Sequence, residues 1–95
     1  MTMTIVSHTY VEHSDGRPVM KNGQPFKTSQ SKTVTPNCGW ASVKQMQDNL
    51  MSRRSGSRQL ELTGNGLIAT ERQRYSHPET GEFCWLYLVQ EISLS

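Results

Sequence analysis

WASVKQMQDNLMSRRSGSRQLELTGNGLI, residues 40–68, is the stretch on which the fold turns. Trp40, Val43, Met46 or Gln47, and Leu50 recur at spacings of three and four, which predicts one apolar stripe along a helix. Lys44, Gln45, Asp48 and Asn49 fall on the opposite side. Thr35 or Asn37 is expected to cap its start, and Pro36 suits a first helical turn. Ser52-Arg53-Arg54-Ser55 then breaks the stripe with four polar residues. Apolar spacing resumes at Leu60 and Leu62 and reaches Leu67, and Gly64-Asn65-Gly66 offers left-handed positions to end a second helix. The stretch therefore reads as two short helices around a polar turn.

Downstream the pattern changes to strands. Gly66 to Tyr75 begins apolar and becomes basic, Ser76 to Glu82 carries Pro and Gly as turn punctuation, and Phe83 to Val89 is apolar on both alternating faces. A β-hairpin follows, with Phe83–Val89 as its most buried strand and both Trp40 and Trp85 largely buried. Upstream, Thr4 to Val11 is rich in β-branched residues and reads as a strand. Ser14-Asp15-Gly16 is a turn signal, and Lys21-Asn22-Gly23-Gln24 predicts a two-residue hairpin flanked by Pro18 and Pro25. Residues 27–33 hold no apolar side chain and read as a mobile linker or loop. These shifts divide the chain into an N-terminal strand and loop arm, 1–36, and a domain, 37–95.

Ninety-five residues allow a single core. Eleven Ser and nine Thr bring the mean hydropathy down to −0.63, so that core is expected to be small. Cys38 and Cys84 lie in no metal-type or redox-type spacing and read as free thiols. The first fifteen residues carry no basic cluster, the longest uncharged apolar run is seven residues, and no Asn-x-Ser/Thr sequon occurs. A soluble, cytoplasmic protein away from membranes is the expectation.

The order helix, polar turn, helix, Gly-Leu-Ile, basic strand, loop and aromatic strand resembles the winged helix-turn-helix DNA-binding domain of small bacterial and phage regulators, over roughly residues 40–90. Ser42 to Leu50 is similar to the first helix of that motif, and Ser52-Arg53-Arg54-Ser55 to its turn and the start of its recognition helix. Ser57-Arg58-Gln59-Leu60-Glu61-Leu62 resembles the body of the recognition helix, Asn65 to Ile68 its exit, and Arg72 to Tyr87 the wing. The resemblance implies an α+β fold of two short helices plus a C-terminal β-hairpin, with the N-terminal arm attached. It also implies a sequence-specific regulator of transcription, its recognition helix in the major groove of double-stranded DNA and its wing on the backbone. No helix precedes the motif, so the N-terminal strand or a second subunit must cover the apolar stripe.

Charge placement points the same way. The formal charge is only +2, yet residues 40–76 carry six Lys and Arg against three acidic residues, while the rest of the chain is net negative. Lys44, Arg53, Arg54 and Arg58 are candidates for phosphate or guanine contact, and Ser55, Ser57 and Gln59 for hydrogen bonds near a helix start. Arg72 and Arg74 share one side of a strand, where they either flank DNA or pair with Glu82 or Glu79 across the hairpin. Trp85 and Tyr87 share a strand face and either stack on bases or, more commonly, pack a core. His8, His13 and His77 are scattered, and no phosphate loop, nucleophile elbow or paired carboxylate appears, so no enzyme, metal or cofactor is expected. The small footprint of one helix and one wing predicts a homodimer. The rival reading is a phage-type inhibitor or adaptor that binds protein, its Thr4–Val11 strand adding to a partner's sheet edge.

Overall fold

The computed structural model describes residues 1–26, 29–53 and 58–95. Strands β1 (Met3–His13), β2 (Met20–Lys21), β3 (Gln24–Pro25) and β4 (Ser29–Thr35) precede helix α1 (Val43–Ser52). Strands β5 (Gln59–Leu62), β6 (Gly66–Ser76) and β7 (Phe83–Leu94) follow it. Five of the strands form one antiparallel sheet in the order β4-β1-β7-β6-β5, and β2 pairs with β3 separately. The two-helix winged fold is therefore overturned: among the described residues there is one short helix beside a five-stranded sheet.

The period of the pattern explains the correction. Gln59-Leu60-Glu61-Leu62 alternates polar and apolar residues with period two, and the Gly64-Asn65-Gly66 turn folds it back onto β6, pairing Leu60 with Ala69 and Leu62 with Leu67. The seven-residue spacing from Leu60 to Leu67 spans that turn and is not two turns of helix. Thr63 N–H donates to the Gly66 carbonyl at 2.9 Å across the turn. Gly66 itself has no substitute, because a Cβ there would collide with the Ile92 carbonyl of β7.

Helix α1 begins later than expected, capped by Ser42 and not by Thr35 or Asn37. Ser42 Oγ accepts from Gln45 N–H at 3.1 Å, and Gln45 Oε1 accepts from Ala41 N–H at 2.7 Å, a reciprocal arrangement close to a capping box. Trp40 lies ahead of the helix and is half-buried. Val43, Met46 and Leu50 pack onto Leu67, Ala69, Ile92 and Leu94, with Met3, Ile5 and Leu60 alongside. The N-terminal strand thus helps cover the stripe, as part of the same sheet. Gln47 Nε2 fastens the helix to the β5–β6 turn through the Thr63 and Gly66 carbonyls, at 2.9 and 2.7 Å.

At the far end of the same sheet face lies a second, smaller core of Val11, Val19 and Cys84, with Phe26, Tyr75 and Leu86 against it. Asn22 and Gly23, with φ of 53° and 78°, make the two-residue turn between β2 and β3, a turn type that needs positive φ at both positions. Val19 N–H bonds back to the Val11 carbonyl at 3.1 Å, which folds this loop over the sheet. Residues 29–35, expected within or beside a mobile linker, instead form the edge strand β4, paired with β1 from Thr35 opposite Met3 to Ser29 opposite Thr9. Lys27 and Thr28 lie outside the described residues. Strand β7 occupies the middle of the sheet, and its Cys84, Val89, Ile92 and Leu94 are buried. Trp85 is only half-buried, because it faces away from both cores.

Candidate functional site

α1 and the β2–β3 loop cover the same face of the sheet, and the other face carries neither. Register decides which side chains stand on that open face. Tyr10, Tyr87 and Arg72 form one row across β1, β7 and β6. Glu12, Trp85 and Arg74 form the next, and Phe83 with Ser76 lies beyond it. On the other side of the tyrosine row stand His8, Val89, Thr70 and Gln59, and then Val6, Glu91, Ile68 and Glu61. Aromatic and guanidinium groups are thus gathered at one end of the face, and two carboxylates at the other.

The rings are arranged in contact. Tyr10 and Tyr87 are stacked with centroids 4.8 Å apart and planes 11° from parallel. Phe83 meets Trp85 edge-on at 4.9 Å. The Arg72 guanidinium carbon lies 4.1 Å from the centre of the Trp85 ring, a cation–π distance that holds an exposed charge in a fixed place. Tyr10, Trp85 and Tyr87 are half-buried, and Phe83, Arg72 and Arg74 are exposed. Burial raises the Tyr10 hydroxyl above its ordinary value, with Glu12 and Tyr87 adding to the effect, so at neutral pH it remains a proton donor. Beside Tyr87, Gln59, Thr70 and Arg72 enclose a recess of about 170 Å³.

The expected DNA-contacting residues are dispersed. Lys44 stands on the exposed side of α1, 3.5 Å from Asp48. Arg53 ends the helix and is exposed. Arg58 lies on the helix side of the sheet, where its Nη2 donates to Gln90 Oε1 at 3.2 Å. A cleft of about 240 Å³ sits there between the two cores, with Ser7, Thr9, Glu71 and Gln90 among its walls. Arg54, Ser55 and Ser57 lie outside the described residues. Of the described candidates only Gln59, Arg72 and Arg74 come together on the open face, and Glu79 and Glu82 approach Lys21 and His13 instead, at 3.5 and 3.4 Å.

Tyr10 and His8 were missed as site residues, although the strand alternation of Thr4–Val11 places them on one face. Burial and Glu82 push the Cys84 thiol up, which makes it a poor nucleophile. Among the described residues no three of His, Cys, Asp and Glu gather to hold a metal ion. No helix among them is long and apolar enough to cross a membrane.

Compared with known protein families, curated proteins and solved structures, the chain matches none. The winged-helix resemblance therefore loses both its supports: no family matches, and the body of the expected recognition helix is strand β5.

Proposed function

We propose that the protein binds single-stranded nucleic acid on the open face of its sheet. The observation that carries this reading is the Tyr10–Tyr87 stack next to Trp85, with the Arg72 guanidinium laid over the indole. Aromatic rings left partly open on a sheet face offer a stacking platform to an unpaired base, and neighbouring arginines neutralise the backbone. Strand β5 supplies no recognition helix for the major groove of a duplex. Arg72 and Arg74 stand with the rings and outnumber Glu12 there, while Glu61 and Glu91 lie towards the helix end, so the strand would run over the aromatic half. Such an activity belongs in the cytoplasm, where Cys38 and Cys84 stay as thiols.

A titration of tryptophan fluorescence with a single-stranded dodecamer, and with its duplex, tests this. Binding of the single strand is expected, with a log–log salt slope of about −1.4, two phosphates at roughly 0.7 each. Tyr87→Ala should weaken it by about tenfold, within the roughly 1–3 kcal/mol of one stacked base. Tighter binding of the duplex, or no binding at low salt, would overturn the proposal.

One observation favours the protein-binding alternative. Strand β4 ends the sheet with seven residues, six of them exposed, and such an edge accepts an added strand. Thr4–Val11, the strand expected to do this, is paired with β7 throughout and with β4 as far as Thr9, which leaves it little open edge. A partner held at β4 would be captured with little salt dependence, unlike nucleic acid.

A further inference from the structure

The recess beside Tyr87 lies on one particular side of that ring. Tyr10 comes from β1 and covers the ring from one side of β7. Gln59, Thr70 and Arg72 come from β5 and β6, on the other side. The space of about 170 Å³ is therefore the next place in the stack that Tyr10 and Tyr87 begin. It is smaller than the roughly 300 Å³ at which pockets for drug-sized ligands start, and it suits one planar ring.

The polar groups around it are unequal. Arg72 is the charged group of the recess and can only donate hydrogen bonds. Its guanidinium is held by Trp85, so its position is set before any ligand arrives. The Gln59 amide both donates and accepts, and the Thr70 hydroxyl serves either role. A fixed donor pair opposes the exocyclic amine of adenine or cytosine and favours the adjacent N7 and O6 acceptors of guanine. Guanine also presents N–H donors at its other edge, which the Gln59 carbonyl would accept. Thymine and uracil have acceptors but a smaller ring to stack.

We infer that this recess is a base-reading site selective for guanine, with the base stacked on Tyr87, Arg72 on its N7 and O6, and Gln59 accepting from its opposite edge. This deepens, and rests on, the reading of the open face as a single-strand-binding surface. Gln59, Thr70 and Arg72 make that surface more than a general platform.

The test uses octathymidylate and three derivatives with one central guanine, adenine or cytosine, titrated against the full chain. The guanine strand is expected to bind about tenfold more tightly than octathymidylate, the scale of one good bidentate contact. Replacing that guanine with 7-deazaguanine, which lacks the N7 acceptor, should remove most of the gain. Gln59→Ala and Arg72→Lys should each bring the guanine-to-thymine ratio close to one, whereas Lys44→Ala, on the far side of the helix, should keep it. Gln59 and Arg72 are exposed, so circular dichroism should show both variants folded. Equal affinity for all four strands, or a preference for adenine or cytosine, overturns the base-reading site while leaving single-strand binding in place. Failure to bind any of them overturns both.

Discussion

Tyr10 shows how one residue serves both the fold and the surface. Its strand position puts it opposite Tyr87, and the two rings shield one another where no helix does. Partial burial, followed by Glu12 and Tyr87, raises its hydroxyl above the usual phenol value. A raised acid favours the protonated form in the folded state. Its contribution is therefore complete below the unfolded value, about pH 10, and is lost as pH climbs through the folded value. Wild-type stability should fall in that alkaline window more steeply than that of Tyr10→Phe, measured by urea denaturation at pH 8 and pH 10.5. Cys84, also raised, adds an alkaline loss of its own, but both proteins share it. Parallel curves would mean that the Tyr10 hydroxyl does not feel its surroundings.

At the scale of elements, α1 depends on its first turn. The Ser42 hydroxyl and the Gln45 amide satisfy N–H groups that would otherwise have no partner. Ser42→Ala should cost about 1 kcal/mol in chemical denaturation, and Ser42→Asp should restore most of it. A loss under about 0.3 kcal/mol would show the helix to be held by its packing and the Gln47 hydrogen bonds, with no help from the cap. This element was legible in the sequence: Val43, Met46 and Leu50 carry the period, and Ser42 with Gln45 three residues on is the start signal that outranks Thr35 or Asn37. The pairing of β6 with β7 was legible too, although as a wing and not as the centre of a sheet. Strand β5 was misread because two leucines at i and i+2 were joined across a glycine turn to Leu67. Strand β4 left almost no trace, since an exposed edge has no buried side to impose alternation on Ser29–Thr35. The candidate site was half visible. Arg72, Arg74, Trp85 and Tyr87 share a parity that sequence shows, but pairing with Tyr10 and Gln59 comes from non-local strand order, which no local pattern encodes.

At the scale of the molecule, three strands of 11 or 12 residues make a slab with extents of 49 × 25 × 18 Å. So long a sheet cannot be served by one small core, and the buried residues other than Val89 fall into two groups at its ends. Between them Ser7, Thr9, Glu71, Leu88 and Gln90 line the 240 Å³ cleft on the covered side of the sheet, so open space and not packed side chains separates the two groups. Cooperativity across the slab therefore runs through the backbone ladders of β1, β6 and β7, and the two ends should open separately. Met46→Ala removes the most enclosed side chain at the helix end and should cost about 2–5 kcal/mol. Amide exchange should then accelerate throughout α1 while the Phe26 N–H, bonded to the Val19 carbonyl at 2.9 Å, changes little. Val19→Ala should do the reverse, freeing Phe26 and leaving the Met46 amide protected. The open face spans both ends, with its rings over the Val19 side and Glu61 and Glu91 over the Met46 side. Val19→Ala should accordingly weaken single-strand binding more than a helix-end variant of equal stability loss. Equal acceleration at Phe26 and Met46 in both variants would show instead that the slab unfolds as one unit.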